Sequence, residues 1–192
     1  MRTNQQKRQT GETNIQLNLC IDGSGKRDIR TGIGFLNHML DLFAFHGKMD
    51  LELECKGDLD VCPHHSIEDI AIVLGQAFHH ALGDRKCIAR YAYCYLPMDE
   101  SLSRTVIDVS GRPFHVIHAQ FENSMIGTFP TEMIPHFFYS FAINSQITLH
   151  QNILYGQNDH HKAESLFKGL GRALHESVQF VQAGIPSTKG LL

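Results

Sequence analysis

The segment HHSIEDIAIVLGQAFH, at residues 64–79, returns as HHKAESLFKGLGRALH at residues 160–175. An offset of 96 residues superimposes the two histidines, the glutamate, a leucine, a glycine, an alanine and the last histidine of each copy. Ahead of each copy, His38 in GFLNHMLDLFAFHG matches His136 in EMIPHFFYSFAINS at an offset of 98. Because 96 is half of the 192 residues, this self-similarity predicts a fused duplication.

The periodicity of apolar residues predicts an α+β fold. Alternating segments predict strands at 13–21 and 27–31, which we expect to form a hairpin, and at 50–58, 88–96, 104–109, 114–118 and 147–154. Spacings of three and four predict helices at 35–45, 65–83, 132–144 and 164–183, the first ending at Gly47. We therefore expect one domain over residues 1–192, built from two repeats at about 1–93 and 94–192. Each repeat would be a pseudo-symmetric lobe with a mixed or antiparallel sheet and helices on one face.

Composition excludes several classes of protein. The net charge of −3 is small and the basic residues are scattered, so a nucleic-acid partner is not expected. No apolar run approaches the ~18 residues of a membrane span, so no membrane partner is expected either. Five cysteines without a C-x-x-C pair argue against a disulfide framework and a zinc ribbon, and predict a cytoplasmic location. Thirteen histidines are unusual and point to metal ligation or proton transfer.

The repeated histidines and glutamates have the spacing of metal ligands. Residues i and i+4 share a helix face, so His64 with Glu68 and His160 with Glu164 can each hold one ion. The adjacent histidines are rotated by about 100° and would serve a different ion from their neighbours. With the two repeated helix histidines, each of two metals would receive three imidazoles and one carboxylate. The expected ligands are His38, His64, His65, Glu68, His136, His160, His161 and Glu164.

Imidazole and carboxylate ligands without a thiolate suit Mn²⁺ or Fe²⁺, which prefer six ligands, and Zn²⁺ is the main rival. Cys62 lies near His64, but its counterpart in the second copy is Asn158, so the duplication does not support a thiolate ligand. His79 and His175 also repeat, and we expect them to be structural or surface histidines.

A second group of residues is suited to a phosphate. Guanidinium, ammonium and hydroxyl groups are phosphate donors, and Lys168 shares a helix face with His160. The expected anion-binding residues are Arg90, Arg112, Lys168, Ser187, Thr188 and Lys189.

Long motifs along the whole chain resemble the imidazoleglycerol-phosphate dehydratase family of histidine biosynthesis. They are GETNIQLNLCIDGSGKRDIRTGIGFLNHMLDLFAFHG, GDLDVCPHHSIEDIAIVLGQA, PMDESLSRTVIDVSGRPF, GQNDHHKAESLFKGLGRAL and PSTKGLL. The resemblance implies a duplicated unit like the second domain of ribosomal protein S5 and two Mn²⁺ ions per active site, with Fe²⁺ or Zn²⁺ as substitutes. It also implies sites shared between subunits of a 24-subunit shell. The chain departs from the family pattern at Asn37, Cys62 and Pro63, which puts the surroundings of the ligands in doubt.

The resemblance further implies that the chain dehydrates imidazole glycerol phosphate to imidazole acetol phosphate. We expect a metal-bound imidazolate and a diazafulvene-like intermediate, because no carbonyl lies beside the carbon that loses its proton. The expected catalytic residues are Glu12, His65 and Glu164, with Glu12 the leading acid or base and Asp99 and Glu100 the alternatives. The expected substrate-binding residues are Glu12, His38, His46, His64, His65, Arg90, Arg112, His160, Lys168, Ser187, Thr188 and Lys189.

Two other functions fit a pair of metals: a two-metal phosphoester hydrolase and a metal-storage shell protein. A hydrolase of this kind usually has bridging carboxylates, and only two glutamates stand among the eight expected ligands. A storage protein would have no use for phosphate-binding residues near the metals.

Overall fold

The computed structural model describes residues 1–181, 184–185 and 187–190. The first half contains β1 (Thr3–Gln9), β2 (Thr13–Cys20), β3 (Arg27–Arg30), α1 (Gly34–Gly47), β4 (Asp50–Gly57) and α2 (His64–Leu82). The second half contains β5 (Tyr91–Met98), β6 (Ser101–Asp108), β7 (Phe114–His118), β8 (Met125–Ile126), β9 (Phe129–Pro130), α3 (Met133–Ser145), β10 (Thr148–Tyr155) and α4 (Asp159–Ser177). Apart from the β8–β9 hairpin, the two halves have the same order of elements.

Each half forms a four-stranded mixed sheet with the same topology. The strand order is β1-β2-β4-β3 in the first sheet and β5-β6-β10-β7 in the second. In both sheets the first three strands are antiparallel and the last pair is parallel. The predicted α+β fold with mixed sheets is therefore confirmed, and the division near residue 93 stays a prediction.

The hairpin predicted from 13–21 and 27–31 is wrong. β2 pairs with β1 and β4, while β3 pairs with the far edge of β4 in the parallel direction. β1 was not predicted because its sequence, TNQQKRQ, contains no apolar residue. Its alternate side chains instead make polar contacts with α2, where Arg8 forms an ion pair with Asp69 at 2.9 Å.

The helices pack between the halves, α1 against α4 and α2 against α3, while α2 and α4 also cover their own sheets. Gly75 and Gly171, which are equivalent in the duplication, allow this close approach. A Cβ atom at Gly75 would lie 2.7 Å from the carbonyl oxygen of Phe141, and one at Gly171 would lie 3.0 Å from the amide nitrogen of Gly47. The core runs through the crossings, where the rings of Phe43 and Phe141 are 6.0 Å apart.

Capping groups mark the start of α4 and the end of α1. The last helix begins at Asp159 rather than at 164, because the side chain of Asn158 accepts hydrogen bonds from the amides of His160 and His161. It ends at Ser177, and residues 182–183 of the predicted helix lie outside the described residues. α1 ends at Gly47 as predicted, although the left-handed residue is Lys48, with φ of 51°.

Across the described part of the chain, no helix combines the length and apolar character needed to cross a membrane. The cytoplasmic location stays a prediction.

Candidate functional site

The first cluster of potential metal ligands contains His38, His160 and Glu164. The Nε2 atoms of both histidines lie 2.9 Å from Oε1 of Glu164, and their rings are 5.6 Å apart. The ligand atoms of all three residues lie within 4.8 Å of one another. Donors about 2.1 Å from a shared ion are at most about 4.2 Å apart, so only small movements would enclose an ion.

The second cluster contains His64, Glu68 and His136. Nε2 of His136 lies 3.2 Å from Oε1 of Glu68, and Nε2 of His64 lies 3.6 Å from Oε2 of the same carboxylate. The angles at His136 do not meet those of a hydrogen bond, so its buried Nε2 has no hydrogen-bond partner. A buried ring nitrogen directed at a carboxylate and a second imidazole suits a divalent cation.

Each cluster combines the two halves of the chain. α1 packs on α4, so His38 of the first half meets His160 and Glu164 of the second. α3 packs on α2, so His136 of the second half meets His64 and Glu68. The duplication therefore produces two equivalent clusters, and in each of them a helix of one half supplies one histidine while a helix of the other half supplies a histidine and a glutamate.

The structure does not bring His65 and His161 into these clusters, although we expected a third histidine for each metal. Nδ1 of His65 lies 3.0 Å from Oδ2 of Asp58, and Nδ1 of His161 lies 2.7 Å from Oε2 of Glu100. The hydrogen bond with Asp58 raises the pKa of His65, and that with Glu100 raises the pKa of His161. Sequence reasoning missed Asp58, and its position directly after the β4 strand gave no signal of this contact.

Glu164 is the most constrained carboxylate of the clusters. It is 6% exposed and forms an ion pair with Lys168 in addition to its two histidine contacts. Burial acts to raise the pKa of Glu164, but the hydrogen bonds from Lys168, His38 and His160 outweigh it and lower the pKa to about 2. A carboxylate with this pKa stays ionised near neutral pH, as a metal ligand must.

Five of the six expected anion-binding residues lie around one cavity of about 340 Å³. Arg90, Tyr91 and Arg112 line it together with Ser187, Thr188 and Lys189. Nε of Arg90 lies 2.7 Å from Oδ1 of Asp108, and the guanidinium of Arg112 lies 3.9 Å from the same carboxylate. Two guanidinium groups thus face one carboxylate and Lys189 also lines the cavity, so the lining is positive overall, which suits an anion.

The remaining expected residues lie elsewhere. Lys168 belongs to the first cluster rather than to the phosphate cavity, and its Nζ also lies 3.4 Å from the sulfur of Met98. His46 lines a separate cavity of about 630 Å³ near the end of α1. Cys62 is not a member of either cluster among the described residues. His79, which we expected to be structural, contacts Arg85 at 2.8 Å.

Glu12 lies at the turn between β1 and β2, where its carboxylate is 3.6 Å from Nε2 of His65. Its amide donates to the Thr10 hydroxyl at 3.1 Å. Glu100 occupies the equivalent turn between β5 and β6, at an offset of 88 residues. The two alternative acids therefore occupy matching places in the two halves.

Comparisons with known proteins identify the family of this chain. The family model described as imidazoleglycerol-phosphate dehydratase matches residues 31–174. Proteins of that name from Clostridioides difficile (strain 630) and Clostridium botulinum (strain Alaska E43 / Type E3) are 55% and 53% identical to this chain. The alignments cover 97% of this chain in both cases, and 97% and 96% of the respective relatives.

Solved structures give the same result. The imidazoleglycerol-phosphate dehydratase of Staphylococcus aureus subsp. aureus N315 superimposes with a TM-score of 0.85 at 38% identity, over 93% of this chain and 99% of that one. The Pyrococcus furiosus IGPD, in complex with (S)-C348, also gives 0.85 at 32% identity, over 97% and 100%. This chain therefore belongs to the imidazoleglycerol-phosphate dehydratase family and is a lyase that dehydrates imidazole glycerol phosphate in histidine biosynthesis.

Proposed function

We propose that this chain carries out the dehydration at a two-metal site whose ligands are the two repeat-related clusters together with His65 and His161. The observation that carries the proposal is the pair of clusters itself: two imidazoles and one carboxylate converge within 4.8 Å at equivalent places in both halves. A single cluster of this kind is common without an ion, whereas two copies at corresponding helix crossings are not expected from chance.

The donor set favours a six-coordinate cation. Each cluster offers two nitrogens and one carboxylate oxygen, and no cysteine joins either cluster within the described ranges. Three donors leave positions for a further histidine and for substrate, which suits Mn²⁺ or Fe²⁺. Zn²⁺ binds such ligands tightly as well and remains the alternative for the native ion.

A bound divalent ion would act as a Lewis acid and make the N–H proton of the substrate's imidazole easier to lose. The residues of the chain then have two tasks. They hold the ring and phosphate in a fixed relation, and they move a proton at the glycerol carbon.

Glu12 is better placed than Glu100 to carry that proton, and it lies slightly nearer to its histidine than Asp99 does, at 3.6 Å against 3.8 Å. Its side chain is 54% exposed, with its carboxylate free of the hydrogen bonds that hold Glu100. Glu100 accepts from Nδ1 of His161 at 2.7 Å and from the amide of Asn158 at 2.8 Å. The His161 hydrogen bond leads the interactions that hold the pKa of Glu100 far below its usual range, so Glu100 cannot readily take up a proton.

Glu164 and His65 were also expected to be catalytic. Because the pKa of Glu164 is lowered to about 2, we assign it to metal ligation rather than proton transfer. His65 has its Nε2 directed towards Glu12, which suits a ligand beside the proton carrier.

We propose the cavity of Arg90 and Arg112 as the phosphate site, with donors from Ser187, Thr188 and Lys189. The polar contacts of Arg90 and Lys168 run to different carboxylates, Asp108 and Glu164. Lys168 would therefore contact the substrate from the metal cluster. The family resemblance implies that a second subunit completes each site, and this would bring a metal cluster of one chain close to the phosphate cavity of another.

The outer faces of the two sheets support self-association. On β5, three tyrosines alternate outward and are between 52% and 68% exposed: Tyr91, Tyr93 and Tyr95. On the other strands of this sheet the exposed large apolar residues are Val106 on β6, Phe114 on β7 and Leu154 on β10, while Arg104 stands opposite Tyr95. The equivalent strands of the first sheet expose polar residues instead: Thr3, Gln5, Lys7, Asn18 and Lys56. Because the two sheets share one topology, this difference points to a covered surface on the second sheet alone.

The reaction is tested by incubating the protein with imidazole glycerol phosphate and Mn²⁺. We expect a ketone product without release of inorganic phosphate. Phosphate release would instead indicate a phosphoester hydrolase, and metal uptake without turnover would indicate a storage protein. Glu12→Gln should reduce kcat by about a hundredfold or more with little change in KM, because general acid–base catalysis is worth 10²–10⁴. Equal losses in kcat and in substrate affinity would contradict the role of Glu12.

Self-association is tested by measuring the mass of the protein in solution. Tyr93→Lys should reduce the assembly to smaller species, because it places a charge in the apolar face. Gln5→Lys is the matched control at the equivalent register position of the first sheet, and should leave the mass unchanged. The family resemblance implies 24 subunits for the wild-type protein, and a monomeric wild-type protein would refute the shared site.

A further inference from the structure

Two histidines, His65 and His161, are each held at Nδ1 by a carboxylate. His65 lies 3.0 Å from Asp58, and His161 lies 2.7 Å from Glu100. In both cases Nε2 points the other way, towards a second acid that is too far for a hydrogen bond, 3.6 Å to Glu12 and 3.8 Å to Asp99. The same arrangement at both helix starts calls for a common physical reason.

The two carboxylates do not descend from the same position of the duplicated unit. Asp58 follows β4, whereas Glu100 lies in the turn between β5 and β6, where the first half has Glu12. Both halves thus place a carboxylate against Nδ1 of the histidine, although the carboxylate comes from a different element in each half. This argues that the contact itself is required.

An ionised carboxylate only accepts hydrogen bonds, so the ring nitrogen that faces it must carry the proton. The neutral imidazole then has its lone pair on Nε2 and a fixed ring orientation. Histidine ligands of metals almost always have such a partner at the second nitrogen, and its loss typically costs 10–100-fold in metal affinity.

We propose that Asp58 and Glu100 are positioning residues that fix His65 and His161 as Nε2 metal ligands. The inference rests on the proposed two-metal function, because it gives these histidines a metal to bind.

The two positioning residues differ in how firmly they are held. Glu100 accepts from the amides of Gln157 and Asn158 at 3.1 and 2.8 Å and from the hydroxyl of Ser101 at 2.9 Å. It therefore also anchors the β5–β6 turn to the start of α4. Asp58 is fixed through its backbone, since its amide donates to the carbonyl of Glu12 at 3.1 Å. Its carboxylate is described only in contact with His65, so a change at Asp58 isolates the positioning effect.

The test measures Mn²⁺ binding to the metal-free full-length protein by electron paramagnetic resonance, which requires no substrate. Asp58→Asn should weaken one of the two Mn²⁺ sites by about 10–100-fold and leave the other unchanged. Pulsed measurements at saturating Mn²⁺ should show fewer coordinated imidazole nitrogens, and a circular dichroism melt should match that of wild type. Asp60→Asn is the matched control, because Asp60 is an exposed acid of the same loop, and it should bind Mn²⁺ as wild type does.

Glu100→Gln should weaken the other Mn²⁺ site by a similar factor and also lower the melting temperature. Wild-type affinity and nitrogen count in Asp58→Asn would overturn the inference. Equal weakening by Asp60→Asn would also overturn it, because the effect would then be one of charge alone. A wild-type protein that binds no divalent metal would instead refute the proposed function, so the two failures are distinguishable.

Discussion

The helix crossings can be tested at Gly171, where α4 touches the backbone of α1. A Cβ atom added there would lie 3.0 Å from the amide nitrogen of Gly47 and 3.2 Å from the carbonyl carbon of Phe43, with the Phe43 oxygen nearer still. Ordinary contacts between such atoms are about 3.5 Å or longer. Backbone atoms of a packed helix cannot rotate away, so Gly171→Ala must push α1 and α4 apart.

The expected cost follows from two opposing effects. Forced overpacking costs about 1–3 kcal/mol, while alanine is favoured over glycine inside a helix by about 1 kcal/mol. We expect Gly171→Ala to lower the free energy of unfolding by about 1–2 kcal/mol. For a chain of this length that corresponds to a melting temperature lower by roughly 2–8 °C.

The matched control lies in the same helix. A Cβ atom at Gly169 would meet the hydroxyl oxygen of Thr105 at 2.9 Å, and this is the end of a side chain that can rotate. Gly169→Ala should therefore melt at or above the wild-type temperature, because it keeps the gain in helix propensity.

The assay is thermal unfolding followed by circular dichroism, with the assembly state matched by size-exclusion chromatography. Because α1 carries His38 and α4 carries His160 and Glu164, Gly171→Ala should also weaken Mn²⁺ binding at one site. A Gly171→Ala protein as stable as Gly169→Ala would refute the close crossing.

Further predictions concern buried ionisable groups. Burial acts to raise the pKa of Asp159, but hydrogen bonds from loop amides and Lys162 outweigh it and lower the pKa to about 2. The contribution of Asp159 to the free energy of unfolding is therefore complete above about pH 4 and is lost as the pH falls towards 2. An acid titration followed by circular dichroism would show this loss. Asp159→Asn should lower the free energy of unfolding by about 3–5 kcal/mol in urea titration, because it leaves the ammonium of Lys162, 5% exposed, without its carboxylate. Burial raises the pKa of Cys55 to about 11, so at pH 8 a thiol reagent should modify Cys62 in the native protein and leave Cys55 unmodified, as mass spectrometry of the digested protein would show.

The duplication and the helices could be predicted because their signals are local. Histidine pairs at a fixed offset and apolar residues at spacings of three and four do not depend on tertiary contacts. β1 could not be predicted in this way, because its polar side chains are stabilised by α2 and β2 rather than by an apolar face. The start of α4 was missed although Asn158 gave a capping signal, because the first residues of the helix, Asp159–His161, are polar.

Within the site, sequence spacing predicted that His64 shares an ion with Glu68, and the two do converge. It could not predict which histidine of the other half joins them, since that depends on which helices cross. Nor could it predict the carboxylates behind His65 and His161, because they come from loops whose positions are set by the sheets. The local part of the site was thus accessible from sequence, and the part made by contacts between the halves was not.

The two halves share a fold but divide the chemistry, and the glutamates of the two hairpin turns show how. Glu12 is hydrogen-bonded to Thr10 through its backbone amide, which leaves its carboxylate free. The carboxylate of Glu100 instead accepts hydrogen bonds from residues at the start of α4. The clusters differ as well: one turn beyond Glu164 stands Lys168, while the residue one turn beyond Glu68 is Ile72. An ammonium beside one cluster opposes a cation there and attracts a phosphate, so the two proposed metal positions cannot be electrostatically equivalent. A symmetric pair of half-sized chains would repeat both features in each half, whereas one fused chain can hold a glutamate with a free carboxylate at one hairpin turn and an ammonium beside only one of the two clusters.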